Sequence, residues 1–348
     1  MKKNILIIGN LGYVGPVVVN HLFATSNYNL IGLDTAFFYN CITTKIRYPE
    51  FGISHQYFLD VRDMSLDHFK NIDSVVYLAA ISNDPMGVEF ENPTYEINQN
   101  CAVKAAEYAK KNKVKNFIFA SSCSVYGTAS EGKKTEDSEL NPLTAYAKSK
   151  IGAELKLKEL VNDEFHVTCL RFATACGYSP RLRLDLVLND FVASAILKKE
   201  INILSDGKPW RPLIHVKDMA RAIQWAIERN DQSIFLSINT GSNEWNYQVV
   251  ELANAVSNQI LGTQVIINQN AQPDKRSYQV DFSLFKKLAP NYQPAISLSE
   301  AVQDLILGMQ NNTICDLNFR DSDTYIRLKT LNSHRKNNLL NPELYWLK

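Results

Sequence analysis

The sequence predicts an α/β fold, a doubly wound parallel sheet with a smaller C-terminal lobe. Three observations predict it. Short, fully apolar runs alternate with amphipathic stretches through the first half of the chain. A glycine pattern, Gly9-x-x-Gly12-x-x-Gly15, follows directly on the first apolar run. An acid, Asp34, ends the second run, about 20 residues beyond the glycines. Strands covered on both faces are apolar throughout, and parallel strands need crossover helices. The alternation therefore reads as βαβ units.

The elements follow in order. Ile5, Leu6, Ile7 and Ile8 form a buried strand bounded by glycine. Gly9 permits a tight turn, Gly12 lets the backbone approach a phosphate, and Gly15 lets the next helix pack closely. That helix is expected over 13–24, with Val14, Val17, Val18 and Leu22 as its apolar face. Pro16 is tolerated in the first turn, where its missing N–H has no partner. The second strand covers 30–33, and a third ends at Asp60-Val61. Further strands are expected over 75–78, 116–120 and 167–172, with helices over 102–111 and 147–161. From about residue 175 the pattern loosens, with helices over 220–229 and 248–259. The expected division is a dinucleotide-binding domain over 1–175, receiving later strands from the second half, an interleaved substrate lobe over 176–310, and an extension over 311–348. In the extension, 311–316 reads as a connecting loop. Tyr325, Leu328 and Leu331 predict a tail helix within 321–331, and 339–346 is apolar. Packing on the core is the expectation, and a dimer contact is the alternative.

The chemistry begins with the glycine turn. The N-terminus of its helix offers unpaired N–H groups and a positive dipole end to phosphates. Tyr13 and Val14, between the second and third glycines, join the expected cofactor contacts. Asp34 can accept hydrogen bonds from adenosine ribose hydroxyls and would repel a 2′-phosphate. No basic residue follows it until Lys45, which favours NAD over NADP. Asp60 and Val61 are expected to flank the adenine. Tyr146 and Lys150 lie one helical turn apart and share a face. A tyrosine hydroxyl titrates near pH ~10 and is a poor base at neutral pH. A nearby ammonium and a positive nicotinamide ring would lower it. Ser122 can donate to a substrate oxygen as its charge changes.

At these residues the chain resembles the extended short-chain dehydrogenase/reductase family, in the branch of nucleotide-sugar epimerases and dehydratases. The resemblance covers about residues 3–305 and implies a Rossmann-type fold. Gly9-x-x-Gly12-x-x-Gly15 matches its fingerprint, and Leu78-Ala79-Ala80 looks like its fourth-strand signature beside the cofactor. Asn98 sits where the family has an asparagine that helps hold the active-site helix. Ser121-Ser122-Cys123-Ser124-Val125-Tyr126-Gly127 places the catalytic Ser/Thr on Ser122, and Tyr146 with Lys150 falls on the catalytic pair. On the substrate side the resemblance puts Asn189, Arg211 and Arg276 at the diphosphate. Arginine's planar fork suits phosphate oxygens.

Departures narrow the chemistry. The 4,6-dehydratases of the family carry an Asp-Glu pair directly after the catalytic Thr. Cys123 and Ser124 stand there instead, which argues against 4,6-dehydration. Enzymes that epimerise carbons 3 and 5 carry Cys two residues before the motif tyrosine, where this chain has Ser124. Cys123 reads as a small buried filler. A stretch around Phe172-Ala173-Thr174 and Ser179–Asp185 resembles a subgroup in which 4-dehydrogenases are expected.

A chain of 348 residues with net charge +1 gives no sign of nucleic acid or membrane binding. Cys41, Cys101, Cys123, Cys169, Cys176 and Cys315 show no CxxC spacing, so no metal site or disulfide framework is expected and a cytoplasmic setting fits. No signal peptide or membrane span is read. The leading expectation is an NAD-dependent nucleotide-sugar oxidoreductase acting at carbon 4, forming a homodimer. It is a 4-epimerase, 4-dehydrogenase or 4-ketoreductase. The second reading is a non-catalytic NAD-binding sensor or regulatory subunit. Such relatives usually lose the Tyr or Lys, and both remain here.

Overall fold

A computed structural model of the chain describes residues 2–44, 48–127, 132–231, 233–268, 277–312 and 314–347. Its centre is a seven-stranded sheet. The strands are β1 (Lys3–Ile8), β2 (Tyr28–Asp34), β3 (Ile53–Phe58), β4 (Ser74–Tyr77), β5 (Asn116–Ser122), β6 (His166–Phe172) and β7 (Phe235–Thr240). Their order is β7-β6-β5-β4-β1-β2-β3, and every pairing is parallel. Strand order reverses between β1 and β4. In open parallel sheets a ligand crevice opens outside the strand ends at such a reversal.

Two buried clusters cover the sheet's two faces, and each strand divides its residues between them. Ile5, Ile7, Val76, Ile118 and Leu170 join one cluster. Leu6, Ile8, Val75, Tyr77, Phe117 and Phe119 join the other. This is the period-two alternation of a strand with both faces apolar. The helix Gly15–Ala24 and the helix Val216–Glu228 pack on the first face. The helices Cys101–Lys111 and Ala145–Lys158 pack on the second.

After β6 the chain leaves the sheet. Thr174–Cys176, Trp210–His215 and Asn246–Gln248 form a three-stranded sheet, and Glu200–Ile203 pairs in parallel with Gln264–Ile267. Between these, β7 returns to the edge of the main sheet beside β6. The helix Val187–Lys198 and the helix Val249–Gln259 cover the lobe.

Element boundaries differ from the sequence expectation in places. The first helix starts at Gly15, not at residue 13, because Tyr13 is drawn into the turn by its own hydrogen bonds. The third strand ends at Phe58, and Asp60 caps the short turn Val61–Asp63. The tail helix is Arg327–Lys336 and leaves Tyr325 outside. There Thr324 N–H donates to the Ser322 hydroxyl in a turn that delays the helix. Leu331, Leu340 and Leu344 are buried in the second cluster, so the extension packs on the sheet's covered face.

Candidate active site

The glycine turn joins β1 to its helix. Gly9 has φ +91°, and a Cβ there would lie 2.4 Å from Ala79 N. A Cβ on Gly15 would lie 2.3 Å from Asn10 O. Both positions are closed by backbone. Gly12 differs, since its nearest protein atom to a Cβ is Gly9 O at 3.5 Å. The protein itself would accept a methyl there, so the need for glycine comes from whatever occupies the cavity. Tyr13 O–H donates to Gly177 O at 2.6 Å, and Ser179 O–H donates to Tyr13 O at 2.6 Å. The second half of the chain is thereby fastened to the turn.

These residues line one cavity of about 950 Å³. Gly9, Gly12, Tyr13, Val14 and Gly15 border it at one side, and Asp34, Asp60 and Val61 at the next. Leu78, Ala79 and Ala80 form its floor beyond β4. Asp34 Oδ2 accepts from Leu11 N–H at 2.9 Å and Oδ1 from Ala36 N–H at 2.7 Å. Burial pushes this carboxyl up and the two backbone donors pull it down. Each oxygen retains a lone pair for a ribose hydroxyl. Asp60 is more occupied. Arg62 grips it with Nε at 2.9 Å and Nη2 at 2.6 Å, so adenine would meet an ion pair and not a free acid.

Asp34→Ala is expected to weaken NAD about tenfold, the size of a lost hydrogen-bonded pair. NADP should weaken less, because repulsion of its 2′-phosphate is lost too. Titration with both cofactors decides. Equal weakening would mean that Asp34 acts only through Leu11 and the shape of the turn.

Asn98 lies beneath the cavity wall. It accepts from Ile81 N–H at 2.8 Å and donates to Ile81 O and to Ser149 Oγ, at 3.0 and 3.1 Å. Ser149 O–H in turn donates to Tyr146 O at 2.8 Å. Asn98 thus ties the loop after β4 to the helix bearing Tyr146, and its neighbour Ile97, not Asn98, reaches the cavity.

The helix Ala145–Lys158 starts at Thr144, whose hydroxyl oxygen accepts from Ala147 N–H at 3.2 Å and whose O–H donates to Asp84 at 2.8 Å. This cap fixes Tyr146 in the first turn. Tyr146, Lys150 and Ser122 all line the same cavity as the glycine turn. Lys150 is buried, donates to Ala120 O at 2.8 Å and lies 5.7 Å from the centre of the Tyr146 ring. Burial pulls its ammonium down to about 7. Tyr146 goes the other way from the sequence expectation. Burial pushes it up to about 12, and a hydrogen bond with Ser122 and the charge of Arg183 only partly oppose that.

A lysine whose folded value lies below its unfolded value is a stability cost. The unfolded chain holds a proton that the folded one releases, between pH ~10.4 and about 7. The cost therefore grows as pH falls through that window. Lys150→Met should equal or exceed the wild type in melting temperature, with a larger advantage at about pH 6.5 than at about pH 9. Parallel pH profiles for the two proteins would contradict a desolvated Lys150.

Below the pair runs a buried network. Glu154, one turn beyond Lys150, pairs with Arg171 Nη2 at 2.8 Å and accepts from Ser121 and Ser237 at 2.5 and 2.8 Å. Arg171 donates to the Tyr126 hydroxyl, which donates to Asn239. The helix bearing Tyr146 and Lys150 is thus tied to β5, β6 and β7 by groups whose charges are met.

Toward the lobe, several residues line the cavity that sequence reasoning did not assign. Arg183 forks onto Asp185 at 2.9 Å on both sides and donates to Ser82 at 2.9 Å, while Asn83 donates to Asp185 at 2.9 Å. Arg183 and Asp185 are two apart in the irregular segment that leads into the helix Val187–Lys198. Ser124 Oγ is buried at the cavity and has no partner among the described residues. Tyr278, Arg320 and Arg327 also line it. Arg211 lies in the strand Trp210–His215 and reaches the cavity. Asn189 does not. It is fully buried and spends its amide on Gly177, Arg183 O and the Tyr13 hydroxyl. Arg276 lies outside the described residues. Cys123 is buried, its thiol donates to Arg171 O, and burial pushes it well up, so it is no base. Among the described residues, no group of three or more His, Cys, Asp or Glu could hold a metal, and no helix is long and apolar enough to cross a membrane.

Comparison with known proteins agrees with this geometry. The sequence profile of the NAD dependent epimerase/dehydratase family matches residues 5–240. A putative UDP-glucose 4-epimerase of Methanocaldococcus jannaschii is 27% identical, over 88% of this chain and 99% of that protein. The fold is shared with MoeE5, solved in complex with UDP-glucuronic acid and NAD. Its TM-score is 0.76 and its identity 23%, over 88% of this chain and 99% of that one. It is shared also with a UDP-glucuronic acid 4-epimerase of Bacillus cereus, solved with UDP-glucuronic acid and NAD. There the TM-score is 0.74 and the identity 22%, over 88% of this chain and 99% of that one. The matched profile, the parallel sheet and the glycine turn facing Asp34 together establish that the chain is an NAD-dependent enzyme of the NAD dependent epimerase/dehydratase family.

Proposed function

We propose that this enzyme oxidises or reduces carbon 4 of the sugar in a nucleotide sugar. The observation that carries the reading is that Tyr146, Ser122 and Lys150 line the same cavity as the glycine turn and Asp34. Tyr146 takes the proton of the 4-hydroxyl, Ser122 holds the same oxygen, and Lys150 stands behind the phenol. Bound NAD supplies the hydride acceptor, and its positive ring favours the phenolate that burial alone disfavours. The diphosphate of the substrate lies by the N-terminus of the helix Val187–Lys198, whose first residues line the cavity, with Arg211 as its cation. The sugar meets Ser124 and the Arg183–Asp185 pair.

Neither residue after Ser122 supplies the acid–base pair that 4,6-dehydration needs, since Cys123 is sealed in and Ser124 carries no charge. The outcomes that fit are 4-epimerisation, 4-dehydrogenation and 4-ketoreduction. A panel of UDP-, GDP- and dTDP-sugars, screened by thermal stabilisation, identifies the substrate. A ligand that binds only the folded state raises the melting temperature. Product analysis of the best binder should show change at carbon 4 alone. A product altered only at carbon 5 or 6 would refute the proposal.

A further inference from the structure

Five basic side chains line the cavity among the described residues, namely Lys150, Arg183, Arg211, Arg320 and Arg327. Carboxylates of the described residues meet two of them. Arg183 forks onto Asp185, and Arg320 forks onto Asp190 at 2.8 Å on both sides. Lys150 sits by Tyr146, and Arg211 lies in the lobe. Arg327 is different. It is 1% exposed and comes from the C-terminal segment, beyond residue 240 where the family match ends. Its guanidinium donates to Thr324 O at 2.9 Å, to Arg181 O at 2.7 Å and to Leu182 O at 3.3 Å, and lies 5.0 Å from the centre of the Phe38 ring. No carboxylate among the described residues lies within ion-pair distance of it.

Its place in the cavity is specific. Phe38 follows Asp34 by four residues at the ribose end. Arg181 and Leu182 belong to the segment fastened to Tyr13 of the glycine turn through Gly177 and Ser179. One residue further, Arg183 is close enough to Tyr146 for its charge to act on the phenol. Arg327 therefore touches both Phe38, four residues beyond Asp34, and the segment that runs on to Arg183 beside Tyr146. A dinucleotide laid between the ribose end and the reacting end places its diphosphate midway. Residues 4–44, which hold the glycine turn and Asp34, contain no Lys or Arg. The turn itself offers only N–H groups and a helix dipole.

We propose that Arg327 is the cation for the diphosphate of NAD, so that the C-terminal segment completes the cofactor site. A planar guanidinium held by three carbonyls is oriented in advance and keeps N–H groups and charge for phosphate oxygens. Burial pulls Arg327 down to about 10, a cost that an adjacent anion relieves. The segment is pinned beside the site at other points. Leu184 N–H donates to Tyr325 O at 3.1 Å, and the Trp346 indole donates to Thr35 O at 2.7 Å. Arg62 donates to Glu343 O and Leu344 O at 2.6 and 2.9 Å.

The inference rests on NAD as cofactor and not on the reaction at carbon 4, so binding tests it apart from turnover. Cofactor-free wild type, Arg327→Met and Arg327→Lys are titrated by calorimetry with NAD, ADP-ribose, adenosine and UDP. Arg327→Met should weaken NAD and ADP-ribose at least about tenfold, the range for a charge-assisted contact, and leave adenosine and UDP unchanged. Arg327→Lys keeps the charge and loses the fork, so it should lose several-fold on ADP-ribose and nothing on adenosine. This second variant decides the matter if the first does not fold. ADP-ribose bound as tightly as by the wild type would overturn the proposal. So would equal losses for ADP-ribose and adenosine, which would make Arg327 a shaper of the pocket wall.

Discussion

Replacing Tyr146 by Phe should remove turnover by a factor of about a hundred or more while leaving NAD affinity nearly unchanged. The hydroxyl is the group expected to move the substrate proton, and general acid–base groups contribute on that scale. The ring stays, so the cavity keeps its wall, and the helix keeps its Thr144 cap and the Ser149–Asn98 tie. Loss of the one hydroxyl is a modest stability change at most. Steady-state kinetics and a cofactor titration on the same preparation check both halves. Near-normal turnover in a folded Tyr146→Phe protein would remove Tyr146 from the chemistry.

The second large effect is expected at the glycine turn, where two substitutions should separate. In Gly9→Ala the methyl would lie 2.4 Å from Ala79 N and 2.8 Å from Leu78 C, at a φ of +91°. Neither backbone can yield without moving β4, so a loss of stability on the order of 2–4 kcal/mol is expected together with loss of NAD binding. Gly12→Ala meets nothing closer than 3.5 Å in the protein. It should melt like the wild type and still lose NAD, because its methyl enters the space of the diphosphate. Denaturation midpoints and NAD titrations for the pair give the answer. Gly12→Ala binding NAD normally would mean that the cofactor does not approach that backbone.

What was legible in the sequence was local. The glycine spacing, the acid after the second run and the Tyr146–Lys150 spacing each need only a few neighbouring residues, and all line the cavity. The strands were legible because both of their faces are apolar, as Ile5 and Ile7 against Leu6 and Ile8 show. What was not legible depends on distant partners. An asparagine on a helix facing the lobe could point either way, and Asn189 points inward to Gly177 and Arg183. Asp60 is claimed by Arg62, and Arg62 is held by carbonyls some 280 residues further along the chain, as the sequence separations of 281 and 282 record. The upward shift of Tyr146 comes from burial, which is a property of the closed cavity and not of the motif. Arg327 illustrates the same limit, because a basic residue in a tail helix reads as surface until its burial is known.

The reaction at carbon 4 is tested most directly by deuterium at that carbon. The NAD-loaded enzyme is mixed with its nucleotide sugar, and reduced nicotinamide is followed by absorbance in a single turnover. Its appearance should slow several-fold with deuterium at carbon 4, stay unchanged with deuterium at carbon 3 or 5, and slow by about a hundredfold or more in Tyr146→Phe. Reduced nicotinamide that never forms, or that forms at the same rate with deuterium at carbon 4, would contradict hydride transfer from that position.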